Sequence, residues 1–425
     1  MYARPQLATL LSRVREPVRS IQIVAGPRQV GKTTMVRQLL DRMPGDSWTF
    51  EAADQPIPES AVDPLAVEIR INDPLRPRDA GWLLQRWAIA RLAARKRQQG
   101  GENEPYLLVI DEIQKVPNWS EHVKGLWDAD RAEKLAMHVV LLGSSPLLVQ
   151  KGLTESLAGR YELIPTRHWS LAEMQDAFDV SLEQYIFYGG YPGAAGLIQD
   201  ENRWRRYVLA SLIQPSIEKD VLALSRVEKP ALMKLLFELA ANYSGQLLAY
   251  NNMRGHLQDA GNTTTLAHYL NLLAHSGLVS GLHKHSVQVI RQRASSPKLN
   301  VHNTALMAAG SGYSFAQAQS DRAYWGRLVE SCVGAHLINT AEEDCAVRYW
   351  RESPHEVDFV LVRGRLITAI EVKSGKKVGR VAGLDRFGQQ FAMTRRLVVG
   401  DATGCDVSIA EFLSEPAAYW LNIQA

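Results

Sequence analysis

The first forty residues alternate between two hydrophobic patterns. Apolar side chains recur at helical spacing from residue 7 to residue 18, which predicts an amphipathic helix. Residues 21–25 form an apolar run typical of a buried strand, and residues 33–40 return to helical spacing. The pattern therefore predicts a strand that is joined to a helix by a short loop.

The same alternation continues through the first 175 residues. Residues 106–110 and 138–142 are apolar runs that predict two more buried strands, and residues 47–50 predict another. Residues 82–97 predict a helix. Strands that alternate with helices are typical of an α/β domain with a parallel sheet.

The second half of the chain shows two different patterns. Residues 230–273 carry apolar positions at helical spacing in three segments, and residues after 277 alternate like a hairpin. Three helices followed by a hairpin predict a winged helix-turn-helix. A helix over residues 324–340, followed by strands between residues 347 and 373, predicts a further α/β domain.

Length and composition bound the class of protein. The 425 residues suggest about three domains, and 46% hydrophobic with 22% charged residues is typical of globular protein. No apolar run approaches the roughly 18 residues that span a bilayer, so no membrane partner is predicted. Three scattered cysteines indicate a reducing cytoplasm. The net charge of +3 permits a nucleic-acid partner without requiring one.

The loop after the first strand fits the pattern G-x-x-x-x-G-K-[ST]. Its residues are Gly26, Pro27, Arg28, Gln29, Val30, Gly31, Lys32, Thr33 and Thr34. A glycine loop between a strand and a helix presents backbone N–H groups to phosphate oxygens. Lys32 is predicted to contact the β- and γ-phosphates of ATP, and the Thr33 hydroxyl to bind Mg²⁺.

Two acids end the predicted strand over residues 106–110. In a P-loop ATPase, Asp111 would complete the Mg²⁺ shell and Glu112 would polarise the attacking water. Ser144 follows the next strand and is the candidate γ-phosphate sensor. Arg160 is predicted either to act as an arginine finger, in cis or on a neighbouring subunit, or to form a surface salt bridge.

Five motifs occur in the order of a known family: GPRQVGKTT, LLVIDEIQKVPNW, LLGSS, SLAGRYELIP and SLAEM. They resemble the prokaryotic AAA-type ATPases that carry a DUF4143 C-terminal region, and the resemblance extends over the whole chain. Relatives of this family are grouped with archaeal-type ATPases fused to restriction-nuclease-like folds. The resemblance implies architecture more than biological role.

A second set of candidate residues lies in the last domain. Asp358 begins one predicted strand, while Glu371 and Lys373 end its hairpin partner, which is the layout of the PD-(D/E)xK nuclease fold. Strand alternation puts Glu371 and Lys373 on one side, facing Asp358. These acids, with Glu330 from the preceding helix, would bind a metal ion, and Lys373 would activate water. A nuclease fold retained only for binding is the alternative.

Candidate DNA contacts are sparse. In the predicted winged helix, the third helix offers the polar residues from Asn262 to Thr265 and His268, and Lys284 lies on the wing with Arg291 and Arg293. A winged helix used for protein contacts is the alternative. Arg395 and Arg396 are further candidates for phosphate contact.

The predicted architecture is α/β: a P-loop AAA-type ATPase core, a helical lid, a winged helix and a restriction-endonuclease-like domain. These occupy residues 1–175, 176–226, 227–295 and 296–425 in turn. The leading hypothesis is a Mg²⁺-dependent ATPase that acts on DNA and self-associates into a dimer or ring-like oligomer. The alternatives are a nucleotide-switched regulatory protein, in which the last domain is a non-catalytic scaffold, and a nuclease gated by ATP.

Overall fold

A computed structural model describes residues 2–54, 78–102, 104–143, 156–221, 229–257, 262–286, 295–375 and 381–421. The chain divides into two compact units, Met1–Thr166 and Arg167–Ala425. Each unit contains a β-sheet flanked by helices.

The first unit is built on a five-stranded parallel sheet in the order β2-β3-β4-β1-β5. The strands are β1 (Ile21–Ala25), β2 (Trp48–Ala52), β3 (Tyr106–Asp111), β4 (Met137–Gly143) and β5 (Tyr161–Pro165). The helices are α1 (Pro5–Arg15), α2 (Lys32–Leu40), α3 (Ala80–Gln99) and α4 (Trp119–Ala132).

The three central strands of this sheet are buried along their whole length. Their side chains alternate between two hydrophobic clusters, one on each face. Leu108 and Ile110 pack in the cluster that contains Trp87 of α3, whereas Val109 packs in the cluster that contains Val36 of α2. The continuous apolar runs in the sequence therefore reflect a parallel sheet that is covered by helices on both faces.

The second unit begins with short helices and a helical segment with π-type hydrogen bonding. The helices are α5 (Leu171–Phe178), α6 (Leu182–Tyr188), α7 (Pro192–Ala195) and α8 (Glu201–Tyr207), and the π segments are Val208–Ile213 and Ser216–Val221. The aromatic residues here are packing residues: the Phe187 and Tyr188 rings lie 4.9 Å apart and both contact Trp204 and Phe315.

Three helices and a strand pair follow. They are α9 (Pro230–Asn242), α10 (Tyr250–His256), α11 (Thr263–His275), β6 (Val279–Leu282) and β7 (Lys298–Val301). The strands β6 and β7 are antiparallel partners, so the domain boundary predicted at residue 295 falls between two paired strands. The predicted wing residues Arg291 and Arg293 lie outside the described residues.

The remaining chain forms a helix-flanked sheet in the order β11-β10-β9-β8. Its strands are β8 (Ala346–Glu352), β9 (His355–Arg363), β10 (Leu366–Lys373) and β11 (Arg395–Gly400). Its helices are α12 (Ala305–Ala308), α13 (Phe315–Ser320), α14 (Arg322–Thr340), α15 (Ala382–Gln390), α16 (Ile409–Ser414) and α17 (Ala417–Leu421). The prediction of a mixed α/β fold with a parallel sheet is confirmed.

Candidate functional site

The loop between β1 and α2 has the backbone shape that a phosphate cradle needs. Gly31 is the N-cap of α2 and adopts φ +86°, a left-handed conformation that glycine tolerates best. It has no side chain to cap the helix, and the first N–H groups of any helix lack intrahelical partners. Gly26 is required for packing, since a Cβ there would lie 1.8 Å from the Thr166 carbonyl oxygen. The local structure therefore explains both glycines of the motif: Gly31 by its backbone conformation and Gly26 by close packing.

Lys32 is buried and lies along the loop. Its Nζ donates hydrogen bonds to the carbonyl oxygens of Gly26 at 2.9 Å and Pro27 at 2.7 Å. Only 6% of the residue is exposed. The ammonium is thus held inside the loop, at the place where phosphate oxygens would replace the carbonyl partners.

Thr33 and Asp111 meet directly. The Thr33 hydroxyl donates a hydrogen bond of 2.6 Å to Asp111 Oδ2, while Asp111 Oδ1 accepts 2.8 Å from the Glu112 N–H. Burial raises the pKa of Asp111, and the bond from Thr33 opposes that rise. A hydroxyl and a carboxylate in contact supply hard oxygen ligands, which is the donor set that Mg²⁺ prefers. The two residues therefore fit a Mg²⁺ site.

Glu112 turns the chain sharply at the end of β3. Its backbone adopts φ +52°, which is uncommon for a residue with a side chain, and a single 3₁₀ turn follows over Ile113–Lys115. Its carboxylate accepts a hydrogen bond from the side-chain amide of Gln114. Gln114 is a partner of the candidate catalytic acid that was not predicted from the sequence.

Ser144, the candidate γ-phosphate sensor, lies outside the described residues. The strand before it, β4, lies between β1 and β3 in the sheet. The carboxyl ends of parallel neighbours share one edge, so the residue that ends β4, Gly143, lies between the two candidate motifs. A sensor role for Ser144 stays a prediction.

Arg160 lies at the amino ends of the strands, opposite to the end that carries the phosphate loop. Its carbonyl oxygen accepts a hydrogen bond from the N–H of Ile21, the residue that starts β1, whereas the phosphate loop follows the end of β1. Its guanidinium donates to both carboxylate oxygens of Asp128, at 2.7 and 3.0 Å. This placement does not support the predicted finger in cis and favours the salt bridge. A role on a neighbouring subunit stays a prediction.

The candidate nuclease residues lie close together in the second unit. Asp358 on β9 accepts a hydrogen bond of 2.8 Å from the Val372 N–H of β10. Lys373 Nζ donates a hydrogen bond of 2.6 Å to Glu371 Oε1 on the same strand. Burial and the charge of Asp358 raise the pKa of Glu371 to about 7.

Lys298 is a member of this group that was missed from the sequence. Its Nζ lies 2.5 Å from Glu330 Oε1 and 3.3 Å from Asp358 Oδ1, and its side chain is 0% exposed. Burial would lower the pKa of Lys298, but the charges of Asp358 and Glu330 raise it above its ordinary value. Burial and the charge of Asp358 raise the pKa of Glu330, and the ammonium of Lys298 opposes that rise. No sequence pattern marks Lys298, because its burial arises only from tertiary packing.

The second unit offers few basic side chains at the predicted DNA contacts. Asn262 caps α11, its Oδ1 accepting 2.7 Å from the Thr265 N–H, and the His268 side chain is exposed. Arg396 donates 3.0 Å to Asp385 Oδ1, and the Arg395 guanidinium lies 5.2 Å from the centre of the Trp420 ring. Both arginines therefore already have protein partners.

The predicted wing is joined to the last sheet. Lys284 bridges to Tyr349 of β8 in parallel fashion, and the His285 N–H donates to the Tyr349 carbonyl at 2.6 Å. The Tyr349 N–H in turn donates to the His283 carbonyl at 3.2 Å. The described part of the wing is thus an edge partner of β8.

The described ranges contain neither a membrane-spanning helix nor a cluster of metal-ligating side chains. No helix among them has both the length and the apolar character to cross a membrane. No group of three or more histidines, cysteines or acids within those ranges is arranged to hold a metal ion.

Comparison with solved structures gives distant likenesses. The Walker-type ATPase PABY2304 of Pyrococcus abyssi is 13% identical with a TM-score of 0.48, over 73% of this chain and 96% of that chain. A point variant of Thermotoga maritima RuvB is 15% identical with a TM-score of 0.31, over 65% and 87%. AMPPCP-bound DnaA from Aquifex aeolicus is 12% identical with a TM-score of 0.27, over 64% and 80%. Comparison with curated proteins gave no match.

Family models match three successive parts of the chain. An AAA domain matches residues 18–175, a domain of unknown function (DUF8612) matches residues 179–316, and a domain of unknown function (DUF4143) matches residues 325–404. The first contains the loop from Gly26 to Thr34 together with Asp111, and the last contains Glu330 and Asp358. The chain is therefore an AAA-type ATPase with a DUF4143 C-terminal region.

Proposed function

We propose that the first unit hydrolyses ATP in a Mg²⁺-dependent reaction. The observation that carries this proposal is the 2.6 Å hydrogen bond between Thr33 and Asp111, which joins the phosphate loop to the acidic end of β3. A loop alone would support nucleotide binding. A hydroxyl and a carboxylate in contact beside that loop support hydrolysis as well.

Each residue has a role that follows from its position. The N–H groups of the loop and of the first turn of α2 would bind phosphate oxygens. Lys32 would exchange the carbonyls of Gly26 and Pro27 for the β- and γ-phosphates. Thr33 and Asp111 would hold Mg²⁺, which neutralises charge that develops on the phosphates. Glu112 would orient and polarise the attacking water.

Phosphate release from ATP tests this proposal. The intact protein is expected to release phosphate with Mg²⁺ and to stop when EDTA is added. Lys32→Met removes the ammonium while keeping an unbranched side chain of similar length, so both binding and turnover should be lost. Arg42→Met, which changes an exposed cation beyond α2, is the matched control. Turnover that survives Lys32→Met would refute the assignment of the loop.

We further propose that ATP hydrolysis is coupled to DNA, and that residues 227–295 act as a winged helix. The support is the order of α9, α10, α11 and the β6–β7 pair, with the polar N-terminus of α11 exposed at Thr264. The scarcity of Lys and Arg on α11 means that contacts would fall mainly on the DNA backbone. The expected interaction is therefore weakly dependent on sequence.

Stimulation of turnover by DNA is the test of this coupling. Duplex, branched and single-stranded DNA are added at low and high salt, and both binding and phosphate release are measured. Binding to phosphates should weaken steeply as salt rises, because counterions are released on binding. If all three forms leave turnover unchanged and show no salt-dependent binding, the DNA proposal fails while the ATPase proposal stands.

One observation favours a second candidate function, a nucleotide-switched regulatory protein whose C-terminal region is a scaffold. Lys298 fills the space between Glu330 and Asp358, where a nuclease would need an open metal position. Cleavage assays with Mg²⁺ and Mn²⁺ distinguish the alternatives. Cleavage that disappears in Asp358→Ala and Lys373→Ala would support the nuclease, and its absence in the intact protein would support the scaffold.

A further inference from the structure

The C-terminal region contains a buried cluster of one cation and three acids: Lys298, Glu330, Glu356 and Asp358, here called the Lys298 cluster. We propose that the Lys298 ammonium is the resident cation of this cluster and occupies the position at which a nuclease-like site would hold a divalent metal ion. The cluster would then hold the elements that carry these four residues together through charge. It would bind no metal while Lys298 is present.

The four residues come from three separate elements. Lys298 starts β7, Glu330 lies in the middle of α14, and the other two acids lie on β9. The Lys298 Nζ is 2.5 Å from Glu330 Oε1, 3.3 Å from Asp358 Oδ1 and 3.8 Å from Glu356 Oε1. It also donates to the Asp358 carbonyl oxygen at 3.1 Å. A single point charge therefore contacts every acid of the cluster.

The apolar surroundings of the cluster favour a lysine side chain over an unfilled cavity. The Lys298 side chain is completely buried, and its Nζ lies 4.9 Å from the centre of the Phe359 ring, within cation–π range. A buried ammonium is stable only when it is paired, and here each of its neighbours on the polar side is an acid or a carbonyl oxygen. The position is shaped for this cation.

Three carboxylate oxygens that a metal would need already have partners. Asp358 Oδ1 faces Lys298, and Asp358 Oδ2 accepts from the Val372 N–H. Glu371 Oε1 accepts from Lys373, while Glu371 Oε2 is buried without a hydrogen-bond partner in the described part of the chain. Mg²⁺ keeps several waters but still binds proteins through carboxylate oxygens. Here Asp358 Oδ1, Asp358 Oδ2 and Glu371 Oε1 each face an ammonium or an N–H donor instead.

Charge excludes a metal from the same place. A dication between Glu330 and Asp358 would lie within a few ångströms of the ammonium, and like charges at that distance repel strongly away from bulk water. The residues therefore do not fit a metal ion in this arrangement. Metal binding would require Lys298 to leave a site in which it is fully buried.

The cluster has a structural consequence that a metal site would not have. A metal on Glu330, Asp358 and Glu371 would join α14 to β9 and β10 only. Lys298 also joins β7, the partner of β6, to that group. The strand pair β6–β7 is thereby attached to the C-terminal sheet through charge as well as through packing.

Binding of Mn²⁺ to the full chain, without nucleotide, tests the proposal and is independent of ATP hydrolysis. The measurement is titration of the metal alone, followed by electron paramagnetic resonance of free Mn²⁺. Wild type and Asp358→Asn should give the same isotherm. Lys298→Met keeps the length of the side chain and removes the charge. It should therefore gain one Mn²⁺ site, with an affinity at least about tenfold higher than wild type shows at that place, because a repelling charge has been removed. Lys298→Met/Asp358→Asn should lose that gain.

Lys373→Met is the matched control, since among the described residues the ion pair of Lys373 is with Glu371, which is not part of the Lys298 cluster, and its side chain is 32% exposed. It should gain no site. The proposal is overturned if wild type binds Mn²⁺ at a site that Asp358→Asn removes, or if folded Lys298→Met gains no binding. If Lys298→Met folds only when Mn²⁺ is added, the metal has replaced the ammonium, which supports the proposal. If it does not fold at all, the wild-type and Asp358→Asn isotherms decide the question.

Discussion

The Thr33 hydroxyl donates a 2.6 Å hydrogen bond to the carboxylate of Asp111, although 78 positions separate the two residues. They meet because their strands, β1 and β3, end at the same edge of the parallel sheet with only β4 between them. The contact is buried enough to raise the pKa of Asp111, mainly through loss of water. A cation between the two groups would offset the cost of burying the Asp111 carboxylate. Cation binding is therefore expected to be sensitive to small changes in either residue.

Replacing the Thr33 hydroxyl is therefore expected to disable hydrolysis selectively. Thr33→Val preserves the branched shape and removes the oxygen, so turnover at saturating Mg²⁺ should fall by about 10²–10³, the loss typical of a single electrostatic contact in a transition state. Thr33→Ser keeps the oxygen and should retain most of the activity. Steady-state phosphate release with Mg²⁺ titration measures both. Equal activity in the two variants would contradict the Mg²⁺ role of Thr33.

Glu112→Gln is expected to separate binding from chemistry. The substitution keeps the shape of the side chain but removes the charge that would polarise water, so turnover should fall by about 10²–10⁴. Nucleotide affinity should change little, because no phosphate contact is lost. Fluorescent-nucleotide titration and phosphate release give the two quantities.

Gln114→Ala is the companion variant, since it removes the amide that donates to the Glu112 carboxylate. It should affect turnover less than Glu112→Gln while leaving affinity unchanged, as expected for a residue that positions another. If Glu112→Gln instead weakens nucleotide binding as much as turnover, Glu112 is a binding residue and the catalytic assignment is wrong.

The phosphate loop was predictable because every part of it is local. A five-residue apolar run, two glycines and a helical pattern follow one another directly, and each restricts the backbone of its neighbours. Asp111 was predictable for a similar reason, since polar residues at the carboxyl end of a buried strand collect at one edge of a parallel sheet.

The contacts of Lys298 were not predictable in this way. They depend on β7 lying beside α14 and β9, three elements that are far apart in the chain. Strand alternation indicated that Asp358 and Glu371 approach each other, but it contains no information about a cation that arrives from another strand. Long-range charge pairing is fixed by tertiary packing and leaves no periodic signal in the sequence.

Arg160 illustrates the same limit, and it gives a third prediction. The residue lies beside the start of β1, far from the phosphate loop in its own chain. Its Nε and Nη2 donate to Asp128, and its Nη1 donates to the Ala158 carbonyl oxygen. Arg160→Ala should therefore leave turnover per chain little changed, and Asp128→Ala should have the same small effect. Phosphate release measured over a range of protein concentrations tests this. A large loss in Arg160→Ala alone, together with activity that rises with concentration, would instead identify a finger supplied to a neighbouring subunit.

His336 should make the protein less stable in acid. Its ring is buried on α14, its Nε2 donates 2.8 Å to the Glu415 carbonyl, and burial lowers its pKa from 6.5 to about 4. Since the unfolded chain takes up the proton first as pH falls, the contribution of His336 is complete above pH 6.5 and is lost progressively toward pH 4. Between pH 7 and pH 5 the loss in the free energy of unfolding should be about 2 kcal/mol.

Urea unfolding at pH 7 and pH 5, followed in the unit that contains α14, measures this loss. Wild type should show it, and His336→Gln, whose side chain cannot be protonated, should not. An unchanged pH dependence in His336→Gln, or an NMR titration of the ring near its ordinary pKa, would show that burial does not hold this histidine neutral.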